Sequence, residues 1–275
     1  MTTLTYSPLE SARFGLRIYR AMIDAVDADA LVAALDRDRV DVAILRLPAH
    51  AIGTLDALRQ HGLTPIVADT LVHYDIDLSP RSAGSNADDA VALRVATSAD
   101  AGLLESLSRE IFSDYVTHYH ANPLFPADKI LDGYAEWASN HVRARDDGAA
   151  AWIVEFRGET AGFSCYRLNE TTGLAVGVLN GILPALRDRG IYRRMLQSML
   201  IRVGELGMRR FAIATQVQNV AVQRIWASQG LLLRGADNTV HINALRAQSN
   251  ATRDDVGADS PKRVSNMRAS AGGGK

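Results

Sequence analysis

Residues 177–206, GVLNGILPALRDRGIYRRMLQSMLIRVGEL, decide how this chain is read. The stretch opens as an apolar run of strand character, breaks at Pro184, and passes through the basic turn Arg187-Asp188-Arg189-Gly190. From Ile191 onward apolar residues recur at helical spacing, at Met195, Leu196, Met199, Leu200 and Val203. Strand, glycine turn and helix therefore follow in that order. The charge at the helix start runs against the usual rule. The unpaired N–H groups of a first helical turn carry partial positive charge and favour acidic residues, yet Arg187, Arg189, Arg193 and Arg194 crowd this end. A phosphate among them, held on amides that Gly190 lets approach closely, would resolve the conflict. A solvated basic turn is the plainer alternative.

The 275 residues suffice for a sizeable core in one or two domains. A net charge of −1 gives no support to a nucleic-acid or membrane-surface partner, so any basic site must be local. Cys165 is the only cysteine, which fits a reducing compartment, and its strand-like setting AGFSCYRL implies packing in a core. The opening MTTLTYSPLE lacks the basic and apolar regions of a signal peptide. The longest uncharged run, 171–186, is too short to span a bilayer. A cytoplasmic protein is the expectation.

Residues 1–78 read as a small α/β domain: a strand over 16–22, a helix over 27–38 capped by Asp27 or Asp29, an apolar strand over 40–48, a helix over 54–62 ended by Gly62, and one or two strands in 63–78. No metal, phosphate or nucleophile motif occurs there. The segment 79–89, SPRSAGSNADD, has linker composition. A second domain, 90–246, begins with a strand over 91–97 and a helix from Ser98, then a loop YVTHYHANPLFP over 115–126. A helix over 128–145 and a hairpin of strands 150–156 and 161–168 lead to the central stretch. A buried strand over 208–216, a helix over 219–228 and a final hairpin over 231–245, turning at Ala236-Asp237-Asn238, complete it. Residues 247–275 lack aromatics and apolar periodicity and read as a disordered tail.

Phosphate-loop, dinucleotide, zinc-protease and nucleophile-elbow signatures are all missing. His118 and His120 have spacing that could ligate a metal, but no third ligand is pinned nearby, so no metal is expected. The order of elements around RDRGIYRRM, the strand ending in TQ, and NVAVQRIWASQGL resembles the GNAT superfamily of acyl-CoA N-acyltransferases. Arg187 and Gly190 match its pyrophosphate motif, with Tyr192 departing at the last position; Asn219, Trp226, Gly230 and Leu231 stand where its second motif has Asn, Tyr, Gly and Phe. More loosely, RFGLRIYRA (13–21), the HYHANP loop and the TQ pair resemble dTDP-fucosamine acetyltransferases and related sugar-nucleotide acyltransferases.

That resemblance implies an α/β (α+β) GNAT fold with a smaller N-terminal α/β domain and acetyl-CoA, or another acyl-CoA, as co-substrate. Arg187, Arg189, Gly190, Ile191, Tyr192 and Arg193 would hold its pyrophosphate, backbone groups around Ile182 and Leu183 its pantetheine arm, and Asn219 would reach the same arm or simply cap its helix. The Tyr192 side chain is expected to point away. Trp226 stands where the family commonly places a thiolate-protonating tyrosine, and indole has no usable proton to release. Tyr192 or Tyr134 could replace that acid, and His118 or His120 could act as base. The expected activity is N-acylation of a nucleotide-linked dideoxyamino sugar, a dTDP-amino sugar in the resemblance. Alternatives are another small amine, a non-catalytic acyl-CoA-binding protein, or an interaction protein whose basic turn meets an acidic partner. A homodimer is left open.

Overall fold

The computed structural model describes residues 3–78, 90–143 and 148–245. The linker at 79–89 and the tail from 247 onward lie outside the described residues. Met1–Ala244 forms one compact unit. It starts with a short strand β1 (Thr5–Tyr6) and helix α1 (Pro8–Phe14), whose Pro8 opens the first turn and whose Gly15 ends it in the left-handed region. Strand β2 (Ile18–Met22) leads to helix α2 (Ala28–Arg37). The Asp27 side chain accepts the Ala30 N–H at 3.0 Å, so Asp27 is the cap and Asp29 lies inside the helix. Strand β3 (Val42–Pro48) follows, then Ala49–His61, which is wound as tight 3-10 turns rather than the α-helix expected over 54–62. Residues 63–78 supply one long strand, β4 (Ile66–Asp77).

After β5 (Val91–Val95) come helices α3 (Ala101–Ile111) and α4 (Ala127–Arg143), with a 3-10 turn at His118–Ala121 between them. Strands β6 (Ala149–Phe156) and β7 (Glu159–Asn169) form the expected hairpin; Arg157 and Gly158 at its tip both have positive φ, as its tight turn requires. Then follow β8 (Leu174–Ile182), α5 (Ile191–Glu205), β9 (Arg210–Gln216) and α6 (Val220–Ser228). The last element, β10 (Leu232–Asn243), corrects the expected hairpin: it is one continuous strand. Asp237 and Asn238, read as turn residues, are instead held across the sheet, Asp237 by His73 and Asn238 by the Thr70 hydroxyl at 2.8 Å each.

All ten strands join one sheet in the order β1-β2-β3-β10-β4-β9-β8-β7-β6-β5. Strand β10 pairs antiparallel with β3 on one side and β4 on the other, and so stitches the N-terminal segment to the rest. One face is covered by α5, whose Ile191, Met195, Met199 and Val203 pack with Trp152, Phe211 and Ile213. On the other face, α3 and α4 enclose Ile153, Phe163 and Cys165, and α1 packs Phe14 near Ile44 and Ile130. Strands β8 and β9 run parallel only from Leu174/Arg210 to Gly177/Ile213. Val178 is then bulged out of register with β7, and the two strands part.

Candidate active site

Beyond Gly177 the edge of β8 has no partner strand on the β9 side. Its hydrogen-bonding direction follows from the register. Gly162 and Ile182 are opposed, and the Leu183 N–H donates to the Ala161 carbonyl at 2.8 Å. This makes Gly162/Ile182 a non-hydrogen-bonded pair, so the N–H and C=O of Ile182, and of Asn180 two residues earlier, point into the gap. Leu183 differs: its N–H serves Ala161 and its carbonyl accepts from Leu186. Of the two residues expected to meet a pantetheine arm, Ile182 therefore offers backbone groups and Leu183 does not. Asn180 joins it.

The gap leads to the start of α5. Gly190 is the N-cap in the left-handed region (φ 72°), no side chain caps the helix, and its first turn has no acidic residue. A Cβ built on Gly190 would meet nothing within 4 Å, so space lies open above the amides. Gly190, Arg187, Arg189 and Arg193 are exposed, whereas Ile191 is buried and anchors the turn in the core. The Arg187 guanidinium donates to the Ile111 carbonyl at 3.1 Å. Among the described residues no carboxylate pairs with Arg187, Arg189 or Arg193. The amides and cations are thus free to meet a diphosphate, and the residues present fit that group.

Tyr192 corrects an expectation. It lies in the first helical turn, but its side chain runs inward to the gap. Its hydroxyl donates to Asn180 Oδ1 at 2.7 Å and accepts the Trp226 indole N–H at 3.1 Å. Burial pushes its pKa above the usual phenol value, so the proton stays on at neutral pH. Tyr192 therefore brings a phenol hydroxyl to the indole of Trp226. Asn219 sits at the N-cap of α6, yet its side chain makes no cap and donates to Thr215 Oγ1 at 3.1 Å. Tyr115, facing the gap from the loop after α3, donates to Gln216 Oε1. Tyr134 is buried and its pKa is raised by desolvation.

A cavity of ≈ 620 Å³ runs through the gap. On the α5 side it is lined by Tyr74, Tyr192 and Trp226; on the α4 side it reaches Glu10, Arg20, Arg46, Asp69, His118 and Asn140. The opening in the sheet therefore connects its two faces. At the far end, Arg20 pairs with Glu10, which also accepts from Ser7 and Tyr119. His118 lines this end and shares a hydrogen bond with His241 at 2.9 Å. His120 does not reach the cavity. It is exposed, and its Nδ1 accepts the Thr117 N–H at 3.1 Å, closing the local turn. Among the described residues no group of three or more His, Cys, Asp or Glu side chains is placed to hold a metal ion, and no helix is long and apolar enough to cross a membrane.

Gln216, Arg20 and Tyr115 lie in stretches that carry the resemblance or stand out in composition, but nothing in the sequence assigns them, or Asn180, Arg46 and Asp69, a role in the site. The signal available for Arg46 and Asp69 was charge inside otherwise apolar strands.

Residues 108–231, a little under half of the chain, match the Acetyltransferase (GNAT) family. No curated protein matches the sequence. Among solved structures, the chain resembles a GCN5-related N-acetyltransferase from Sphaerobacter thermophilus, with TM-score 0.56 and 13% identity over 88% of this chain and 75% of that one. A functionally unknown conserved protein from Staphylococcus epidermidis gives TM-score 0.54 and 13% identity over 88% and 90%. A GCN5-related N-acetyltransferase from Kribbella flavida gives 0.51 and 14% over 82% and 81%. Identities this low establish the shared fold, including the N-terminal part, and nothing of substrate.

The histidine pair carries a pH signature. Burial, with the Arg20 charge nearby, holds His241 down to about 4 and His118 well below its ordinary value, so both are neutral in the fold. The unfolded chain binds protons there below about pH 6.5. Stability is therefore full above that value and is lost as pH falls toward the folded pKa, at about 1.4 kcal/mol per pH unit for each histidine. Urea unfolding between pH 7.5 and 5.5 should show this slope, and His241→Asn should flatten it. A slope unchanged in the variant would contradict the assignment.

Proposed function

We propose that the protein is an acyl-CoA-dependent N-acyltransferase that moves an acetyl group to the amine of a small acceptor. A nucleotide-linked dideoxyamino sugar, such as a dTDP-amino sugar, is the acceptor suggested by the sequence resemblance. The observation that carries this reading is the gap between β8 and β9, which lies between an uncapped, cationic helix start and a cavity that reaches charged side chains on the opposite sheet face.

The co-substrate supplies an activated thioester. The chain does the rest. The amides and cations of 187–193 hold the diphosphate, and the inward backbone groups of Asn180 and Ile182 extend the open sheet edge as a strand-like track for the pantetheine amides. Placing an unprotonated amine against the acyl carbon from the other face converts an encounter into a local reaction. As the N–C bond forms and the C–S bond breaks, the amine gives up a proton to water in the cavity, and the sulfur gains one from a side-chain acid that water then reprotonates. Tyr192 is placed to deliver that second proton. The Trp226 N–H stabilises the phenolic oxygen as its O–H bond breaks, and this is what a tryptophan at that position contributes.

Calorimetry with acetyl-CoA tests the first step: binding is expected, and Gly190→Asp, which sets a carboxylate over the cradle, should weaken it by roughly tenfold or more, while strain at the left-handed position lowers Tm by only a few degrees. No binding to acetyl-CoA or longer acyl-CoAs would overturn the reading.

Tyr192→Phe tests the acid. Loss of general acid assistance should lower kcat by roughly 10²-fold while the affinity for acetyl-CoA stays within the error of the wild type. An unchanged kcat would remove Tyr192 from the chemistry.

A further inference from the structure

Three arginines line the cavity: Arg13, Arg20 and Arg46. Arg13 pairs with Glu136 and Arg20 with Glu10. Arg46 has no carboxylate within ion-pairing distance among the described residues, and no hydrogen bond of its guanidinium is formed. Its Nε is sealed from solvent and unpartnered. A charge withdrawn from water without a partner is costly, and such groups mark the place where something else binds.

The sheet register explains how Arg46 is presented. Thr239 on β10 stands opposite Arg46 on β3 and also opposite Asp69 on β4. Directly opposed residues share a face, so Arg46, Thr239 and Asp69 form a line across three strands, with Arg46 and Asp69, at the two ends of that line, reaching the cavity. Both Asp69 oxygens are sealed from solvent, and the carboxylate is engaged by the Thr239 hydroxyl and the Gln216 side chain. Asp69 therefore supports the Arg46 charge from a distance without neutralising its outer nitrogens. On the other flank, Arg20 and burial both disfavour the charged form of Arg46. An anion entering the cavity relieves both effects.

We infer that Arg46 is the receptor for an anionic group on the acceptor, so that the substrate is a small molecule carrying both the reacting amine and a carboxylate or phosphate. The planar guanidinium suits either anion in a two-pronged contact. Anchored at Arg46, the acceptor has the length of the cavity in which to extend its amine toward the gap and Tyr192. This inference rests on the transferase reading and deepens it; a sugar nucleotide is one member of the class, through its diphosphate.

The test uses the intact protein and matched acceptor pairs: alanine against alaninamide, glutamate against glutamate with its side-chain and α-carboxylates amidated, glucosamine 6-phosphate against glucosamine, and a dTDP-amino sugar against the free amino sugar. The anionic member of at least one pair should be acetylated with kcat/KM roughly ten- to a hundredfold higher. The carboxylate and phosphate arms separate the two sources of charge. Arg46→Gln should abolish that preference by raising acceptor KM, leave acetyl-CoA affinity unchanged, and Arg46→Lys should restore part of it. Equal use of charged and uncharged members overturns the inference, as does an Arg46→Gln variant that loses Tm but keeps the preference. Acetyl-CoA binding without transfer to any anionic amine also counts against it. Absence of acetyl-CoA binding sinks the transferase reading instead.

Discussion

A sheet that closes completely satisfies its backbone; this one leaves two of its central strands apart. After four paired positions β8 and β9 diverge, and the amide edges of Asn180 and Ile182 face the gap without a strand partner on that side. Unpaired backbone inside a protein is costly unless water or a ligand answers it. The separation is held by several groups that act together. The Val178 bulge turns β8, the Tyr192 hydroxyl bridges Asn180 to Trp226, and Tyr115 engages Gln216 near the end of β9. The last two each tie one lip of the gap to a helix or loop, not to the other lip.

The same opening divides the electrostatics of the molecule. On the α5 side, uncapped amides and Arg187, Arg189 and Arg193, which pair with no carboxylate among the described residues, favour a polyanion at the surface. On the α4 side, arginines and acids are folded into a partly neutralised network, with Glu10 serving Arg20, Ser7 and Tyr119 at once. The N-terminal strands are what close this second side. Arg20 and Arg46 come from β2 and β3, and β10 returns from the end of the described chain to bind β3 and β4 together. Without that return strand, the line Arg46–Thr239–Asp69 would not exist.

What the sequence disclosed follows from the range of the interactions involved. Helix α5, its glycine cap and its basic turn are local, and periodicity placed them well. The β6–β7 hairpin was equally local. Strand β10 was misread because Asp237-Asn238 carries turn chemistry; its side chains are instead satisfied by His73 and Thr70, over 160 positions away in sequence. Tyr192 was expected to turn outward on grounds of bulk, whereas Asn180 and Trp226 give its hydroxyl a place inside. His120 looked like an acid–base candidate and caps a turn; His118, two residues away, is the one that reaches the cavity. Arg46 and Asp69 share a face only because Thr239 lies between them, a register that no local pattern encodes.

Diffraction from crystals of the protein with acetyl-CoA tests the central claim most directly. The account predicts pantetheine amides hydrogen-bonded to the backbone of Asn180 and Ile182, with the diphosphate on the amides of 190–193 and the thioester beside Tyr192. A cofactor seated elsewhere, with the strand gap still empty or bridged by the protein's own groups, would contradict it.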